Sequence, residues 1–236
     1  MCDRGDDQIA VAFKPDEASV KKVVTEWFSE VKDWTDSFVF LAIDDGSQDA
    51  TLAVLGKLRN QLGSRLIIHS RPNRGHGQTC LEGYRMAAEM GARYVFQLDS
   101  DGQCDPQYFF RFWRLRDQYD VVYGIRTRRD DGIYRLLVSM FLRMFILAAF
   151  RVFCPDANVP YRLMRVEAVI SDVNRIPGDY SLANVGLAIL LAKNSHCRCG
   201  YVPIRFRERY GGEPSVRAGV FAKKAAQLYS DTQRIL

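Results

Sequence analysis

Four short apolar runs restrict the kind of fold open to this chain. They cover residues 9–13, 38–43, 65–69 and 94–98, and each stops at a polar turn before a stretch of helical length. After the first run, Val20, Val23, Val24, Trp27, Phe28 and Val31 recur at helical spacing, with Asp16 or Ser19 placed to cap them. Further helices are expected over residues 50–62 and 78–90 and from Pro106, a residue suited to a first helical turn. A fifth run covers residues 120–125. Strands alternating with helices of this length predict an α/β chain with a mostly parallel central sheet and helices on both faces. Ligands of such sheets bind outside the carboxyl ends of the strands. Lys14 and Asp16, Asp44 and Asp45, and Asp99 and Asp101 all fall at such ends.

Asp99-Ser100-Asp101-Gly102 is the sharpest of these ends. Two carboxylates one residue apart repel each other, and a positive charge between them relieves the repulsion. A divalent cation with oxygen ligands suits the position, since Mg2+ takes one or two carboxylates plus substrate phosphates. A lone Asp-x-Asp also reads as a solvated acidic turn. The second acidic strand end, Asp44-Asp45, favours a binding site.

With 236 residues, 47% hydrophobic and 26% charged, the chain can bury a sizeable core in one large domain or two small ones. Its net charge is +5, and residues 111–151 alone carry nine Arg against four Asp, an excess as large as that of the whole chain. Such a local excess points to an anionic partner. Nucleic acid is not the expected one, because the basic stretch lacks interleaved stacking aromatics. No G-x-G-x-x-G opens a helix, which argues against a dinucleotide-binding oxidoreductase. The six cysteines lack zinc-site spacing and read as reduced thiols of a cytoplasmic protein. The acidic start, MCDRGDDQ, does not read as a signal peptide.

IDDGSQD after a strand, RPNRGHG opening a helix and QLDSDGQCDP after another strand, in this order and spacing, resemble the inverting family-two glycosyltransferases with a GT-A fold. The resemblance covers roughly residues 9–215. Arg135-Leu-Leu-Val-Ser139, Pro155-Asp156 with Val159 to Met164, and Val202 to Arg209 followed by Gly211-Gly212-Glu213-Pro214-Ser215 are similar to the polyprenyl-phosphate sugar transferases, the group that includes dolichol-phosphate mannose synthase. The resemblance implies a glycosyltransferase domain over residues 8–215, with 216–236 a C-terminal helical segment. It also implies a nucleotide-sugar donor and Mg2+ or Mn2+ held by Asp99 and Asp101. Asp44, Asp45 and, more weakly, Lys14 and Asp16 would meet the nucleotide, with Asp99 beside it. Asn73, Gly75 and Gly77 would bring backbone close to the donor, although a tight turn and helix cap explains them equally. Gln103 would touch donor sugar or acceptor phosphate.

Two departures matter. The first strand ends Phe13-Lys14-Pro15-Asp16-Glu17, where the family has a Pro-x-Tyr-Asn-Glu pattern, which leaves the base open. The helix over residues 181–192 lacks the Glu-Asp pair of members that glycosylate hydroxyls, and Asp179 is the nearest acid. A hydroxyl acceptor needs a general base, whereas a phosphate is already an anion. The absence favours a phosphate acceptor or an inactive member. Arg128, Arg129, Arg135, Arg207 and Arg209 are the candidate phosphate ligands, with Arg135 and Arg162 in the family-like positions.

Residues 133–153 have the length of a membrane span, but Arg135, Arg143 and Arg151 interrupt them. At helical spacing the three arginines share an arc of roughly 160°, leaving most of the rest apolar. That pattern fits a helix lying in the interface on the inner face of a membrane; a core or dimer-interface helix is the alternative. No membrane-spanning stretch follows in this sequence, so a homo-oligomer or a separate anchoring partner is also compatible. Remaining alternatives are transfer to a saccharide hydroxyl, a nucleotide-sugar binder of weak activity and a haloacid-dehalogenase-type phosphatase. The last requires its nucleophilic Asp near the first strand.

Overall fold

A computed structural model describes residues 8–129, 133–180, 182–208 and 221–236, with side chains for all of these except 128–129, 133–137 and 221–224. Seven strands form one sheet: β1 (Ile9–Phe13), β2 (Phe38–Asp44), β3 (Leu66–Ser70), β4 (Tyr94–Leu98), β5 (Val121–Arg129), β6 (Tyr161–Arg165) and β7 (Cys199–Phe206). Their order is β3-β2-β1-β4-β6-β5-β7. β1, β2 and β4 are buried along their whole length, as expected of apolar strands covered on both faces. β7, at the sheet edge, alternates: Gly200, Val202, Ile204 and Phe206 face inward, while Tyr201, Pro203 and Arg205 are exposed. The mostly parallel sheet expected from the sequence is present, with one interruption. β6 runs antiparallel to both β4 and β5, so the carboxyl ends of the other six strands share one edge.

The helices are α1 (Val20–Trp34), α2 (Thr51–Leu62), α3 (His76–Glu89), α4 (Phe109–Leu115), α5 (Ile133–Phe150), α6 (Val166–Arg175), α7 (Ala183–Lys193) and α8 (Phe221–Gln233). The helix expected from Pro106 begins as a 3-10 turn over Pro106–Tyr108, capped by Asp105, whose carboxylate accepts the Gln107 amide. Trp27 of α1 centres the core, with ring centroids 5.1 Å from Phe96 and 5.5 Å from Tyr161. On α3, Gly83 lies so close to the sheet that a Cβ there would stand 2.9 Å from Ala12 Cβ and Ile43 Cδ1. The glycine, which weakens a helix by about 1 kcal/mol relative to Ala, lets α3 sit directly against β1 and β2.

α5 buries Ile146 and Phe150, and Phe150 stacks on Tyr229 of α8 at 5.7 Å. Met140, Phe141, Met144 and Leu147 are exposed on it, Met144 by 61%. Arg143 is exposed too, as is Arg151 just past the helix. No described helix is long and apolar enough to cross a membrane.

Candidate active site

The strand order reverses beside β1. The chain builds β2 and β3 on one flank and then returns to place β4 on the other, which makes the carboxyl edge between β1 and β4 the place where a cleft opens. Asp99 to Gly102 follow β4 at this point. Ser100 stitches the two strand ends together: its Oγ donates to the Lys14 carbonyl at 2.6 Å, and its own carbonyl accepts from Ser19 Oγ at the start of α1. Gly102 takes a left-handed φ of 82°, a conformation open to glycine at little cost. Asp101 Oδ1 accepts the Gln103 amide at 3.0 Å. The Asp99 side chain keeps 27% exposure, with His76 Nε2 3.6 Å from its Oδ1. Cys80 and Asp99 together hold the His76 imidazole above its ordinary pKa, against the opposing effect of burial.

Among the described residues, no three His, Cys, Asp or Glu side chains converge as a complete metal cage. The Asp99–Asp101 pair nevertheless fits a hard divalent ion, because such ions take one or two carboxylates and draw their other oxygens from substrate phosphates.

Asp44 and Asp45, at the end of β2, are buried, and both are engaged by the protein. Asp44 accepts from Ser70 Oγ at 2.8 Å and the Ser47 amide at 3.1 Å. Asp45 accepts from Arg71 at 2.6 Å, from the Arg74 amide at 2.8 Å, from the Gly75 amide at 3.0 Å and from Lys14 Nζ at 3.4 Å. Burial raises the Asp45 pKa, but the Arg74 amide and the charges of Lys14 and Arg71 outweigh it and hold the carboxyl below its ordinary value. Asp45 thus organises the loop between β3 and α3. Arg71 continues the network to Glu82 and to Thr79, its NH2 lying 3.2 Å from Thr79 Oγ1.

The remaining expected residues divide sharply. Lys14 lies at this cleft beside Asp45, and Asp16 is exposed at the start of α1, accepting the Ala18 amide at 3.1 Å. Asn73 Oδ1 accepts the Gly75 amide at 3.0 Å, and Gly75 has a φ of 88°. The close approach at Gly77 is to Ala183 at the start of α7, 3.0 Å from a Cβ built there. Gln103 is buried and its amide side chain donates to the Arg207 carbonyl at 3.3 Å. Arg207 pairs with Asp105 at 2.5 Å and Glu26 at 3.1 Å. Arg162, expected among the phosphate ligands, is fully buried, and its guanidinium donates to the carbonyls of Val159 at 2.7 Å, Ala157 at 3.2 Å and Asn184 at 3.3 Å. It is a strut between the loop before β6 and α7. Arg128 and Arg129 close β5 on the same sheet edge as Asp99, and Arg135 lies in the first turn of α5. Their side chains, and all of Arg209, lie outside the described residues.

Several contacts were not foreseen from the sequence. Ser19 and Ser100 join β1 to β4, Arg71 and Glu82 brace the Asp45 loop, and Asp156 grips Arg126 through two contacts at 2.6 and 2.7 Å. Arg71 opens the RPNRGHG motif and could have been paired with an acid on charge grounds; the serines carry no such signal.

Residues 17–169 match the family described as Glycosyl transferase family 2. Two curated relatives are both named undecaprenyl-phosphate 4-deoxy-4-formamido-L-arabinose transferase. The one from Yersinia pestis (strain Pestoides F) is 24% identical over 143 residues, and the one from Serratia proteamaculans (strain 568) is 27% identical over 144. Each match covers 60% of this chain and 43% of the relative, less than half of the relative's length. Among solved structures, glucosyl-3-phosphoglycerate synthase from Mycobacterium tuberculosis, in complex with Mn2+, UDP-glucose and phosphoglyceric acid, superposes with a TM-score of 0.65 at 18% identity. That match covers 96% of this chain and 80% of the synthase. The sheet and its flanking helices have the GT-A fold. With the family match spanning more than half of its residues, the chain belongs to glycosyl transferase family 2.

Proposed function

We propose that the protein is a metal-dependent, inverting glycosyltransferase that moves a sugar from a UDP- or GDP-linked donor to the phosphate of a polyprenyl lipid. The observation that carries this reading is the gathering of Asp99, Asp101 and the Asp45-braced loop at the point where the strand order reverses. Asp99 and Asp101 would hold Mg2+ or Mn2+, which when bound supplies Lewis-acid neutralisation of the leaving diphosphate. Asp44 and Asp45 act on the nucleoside side of the cleft through the loop they hold, with Asn73 and Gly75 in that loop. Lys14 and Asp16 adjoin them at the end of β1, Lys14 in contact with Asp45. Gln103 ties the Asp101 turn to the residue after β7.

α7 reads ANVGLAILLAK and carries no carboxylate, so an acceptor that is already anionic suits the site. Arg128, Arg129, Arg135 and Arg209 would receive its phosphate, since guanidinium matches phosphate oxygens bidentately. The names of the curated relatives support a polyprenyl-phosphate acceptor, and the synthase complex with Mn2+ and UDP-glucose supports the donor and metal class. The outer face of α5 would rest on the membrane, with Met140, Phe141, Met144 and Leu147 entering the interface. The enzyme would then work at the cytoplasmic face. A panel of UDP- and GDP-sugars tested for thermal stabilisation with Mn2+, Mg2+ or chelator examines the core of this reading. One donor class should raise the midpoint only with metal present; stabilisation by none of them, or equal stabilisation with chelator, refutes the reading.

A further inference from the structure

The transfer reaction makes no use of the entry to β7, where residues 196–199 read His-Cys-Arg-Cys. Among the described cysteines, Cys80, Cys104 and Cys154 are buried, whereas Cys197 and Cys199 are partly exposed. Their sulfurs lie 4.0 Å apart. Arg198 between them is fixed at both main chain and side chain. Its amide donates to Asp120 Oδ2 at 2.9 Å, and its Nε and NH2 reach the two Asp120 oxygens at 3.1 Å each. The Asp120 amide returns a bond to the Arg198 carbonyl at 2.8 Å, and the Cys197 amide is held by the Asn194 carbonyl at 3.0 Å. With Arg198 pinned against Asp120, the two thiols stand side by side at the entry to β7.

We propose that Cys197 and Cys199 form a reversible dithiol site, which low-molecular-weight disulfides oxidise to an internal disulfide. The Cys199 thiolate attacks one sulfur of the small disulfide, forming a mixed disulfide and releasing one small thiolate. The Cys197 sulfur, as thiolate, then attacks the Cys199 sulfur and releases the second. The two electrons lost by the protein pair reduce the small disulfide, and the two protein protons end on the two released thiols. The hydrogen bond from the Cys197 thiol holds Cys199 below its ordinary thiol pKa, against burial and the nearby Asp120, and so makes Cys199 the first nucleophile. Closure must bring the sulfurs to about 2.05 Å. The Asp120 contacts that hold Arg198 keep the two sulfurs close in the native chain, an arrangement that unfolding removes. The site is independent of the transferase reading.

The test equilibrates the native full chain with reduced and oxidised glutathione, quenches with acid, alkylates free thiols and maps the peptides by mass. In the wild type the peptide holding both cysteines should lose two hydrogens and both alkylation sites together, retain no glutathione and recover on reduction. Cys197→Ser should trap glutathione on Cys199. The same equilibration in urea needs no variant, and the closure constant should fall at least about tenfold there, equivalent to about 30 mV. Glutathione retained by the wild type, two persistently alkylated thiols, disulfide-linked dimers, or equal closure in urea would each overturn the proposal.

Discussion

Asp45 and Asp101 are carboxylates at the ends of β2 and β4, on either side of β1, yet they answer to different physics. Asp45 is buried among Arg71, Lys14 and two loop amides. Arg71→Ala removes the closest cation and should destabilise the fold by about 2–4 kcal/mol, because a buried charge that loses its partner is penalised strongly. Urea unfolding measures this, and an unchanged midpoint would show that the pair does not hold the loop. The sign of the pH effect follows from the lowered Asp45 pKa. The stabilisation is present above the unfolded value of about 4 and is lost as pH falls through the lower folded value. The stability gap between wild type and Asp45→Asn should accordingly narrow in acid, and a gap that widens there would contradict the assignment. Asp101 is only partly buried at the mouth of the cleft. Asp101→Asn should leave stability within about 0.5 kcal/mol while abolishing metal-dependent nucleotide binding, which titration calorimetry with and without chelator would show. Both motifs were legible in the sequence, because strand ends and paired acids are local patterns. The partners of Asp45 were not, since Arg71 lies 26 residues away and only the pairing of β2 with β3 brings them together. The surroundings of Arg162 were hidden for the same reason: a motif position says nothing about whether a guanidinium faces a cleft or the interior carbonyls of Val159 and Asn184.

Among the elements, α5 carries the clearest prediction. Its exposed Met140, Phe141, Met144 and Leu147 would be costly to leave in water but natural at a lipid interface. Replacing Met144 and Leu147 together with Glu should cut sedimentation with anionic vesicles at low salt at least about tenfold, with the unfolding midpoint unchanged. Equal binding by this variant and the wild type would mean that the face serves something else. The length and apolar character of α5 were plain in the sequence, but which face the core would claim was not, because apolar residues surround the helix. α6 shows the reverse case. Val166, Val169 and Val173 sit at helical spacing and are buried, a signal present in the chain but masked by β-branched residues that suit a strand equally well. Across the first four strands, the expected and observed ends differ by at most one residue, since each apolar run stops at a charged or polar turn that closes it unambiguously.

At the scale of the molecule, parallel direction was predictable from the alternation of strands and helices, whereas strand order was not. The insertion of β6 between β4 and β5 depends on long-range pairing that no local pattern encodes. That insertion leaves the carboxyl ends of β4, β5 and β7 on one edge, so Asp99 and Asp101, Arg128 and Arg129, and Arg207 collect there from distant parts of the sequence. Under the proposed function, a donor side built from β1 to β4 and an acceptor side built from β5 and α5 would meet at the end of β4. The most direct measurement gives the full chain the nucleotide sugar that stabilises it, with Mn2+, and offers polyprenyl phosphate in anionic vesicles beside a soluble saccharide. Mass spectrometry and anomeric analysis identify the products. The predicted result is a glycosyl phosphopolyprenol of inverted configuration, lost on chelation and in Asp101→Asn, with no glycosylated saccharide. Sugar delivered to the soluble saccharide with no lipid-linked product would contradict it.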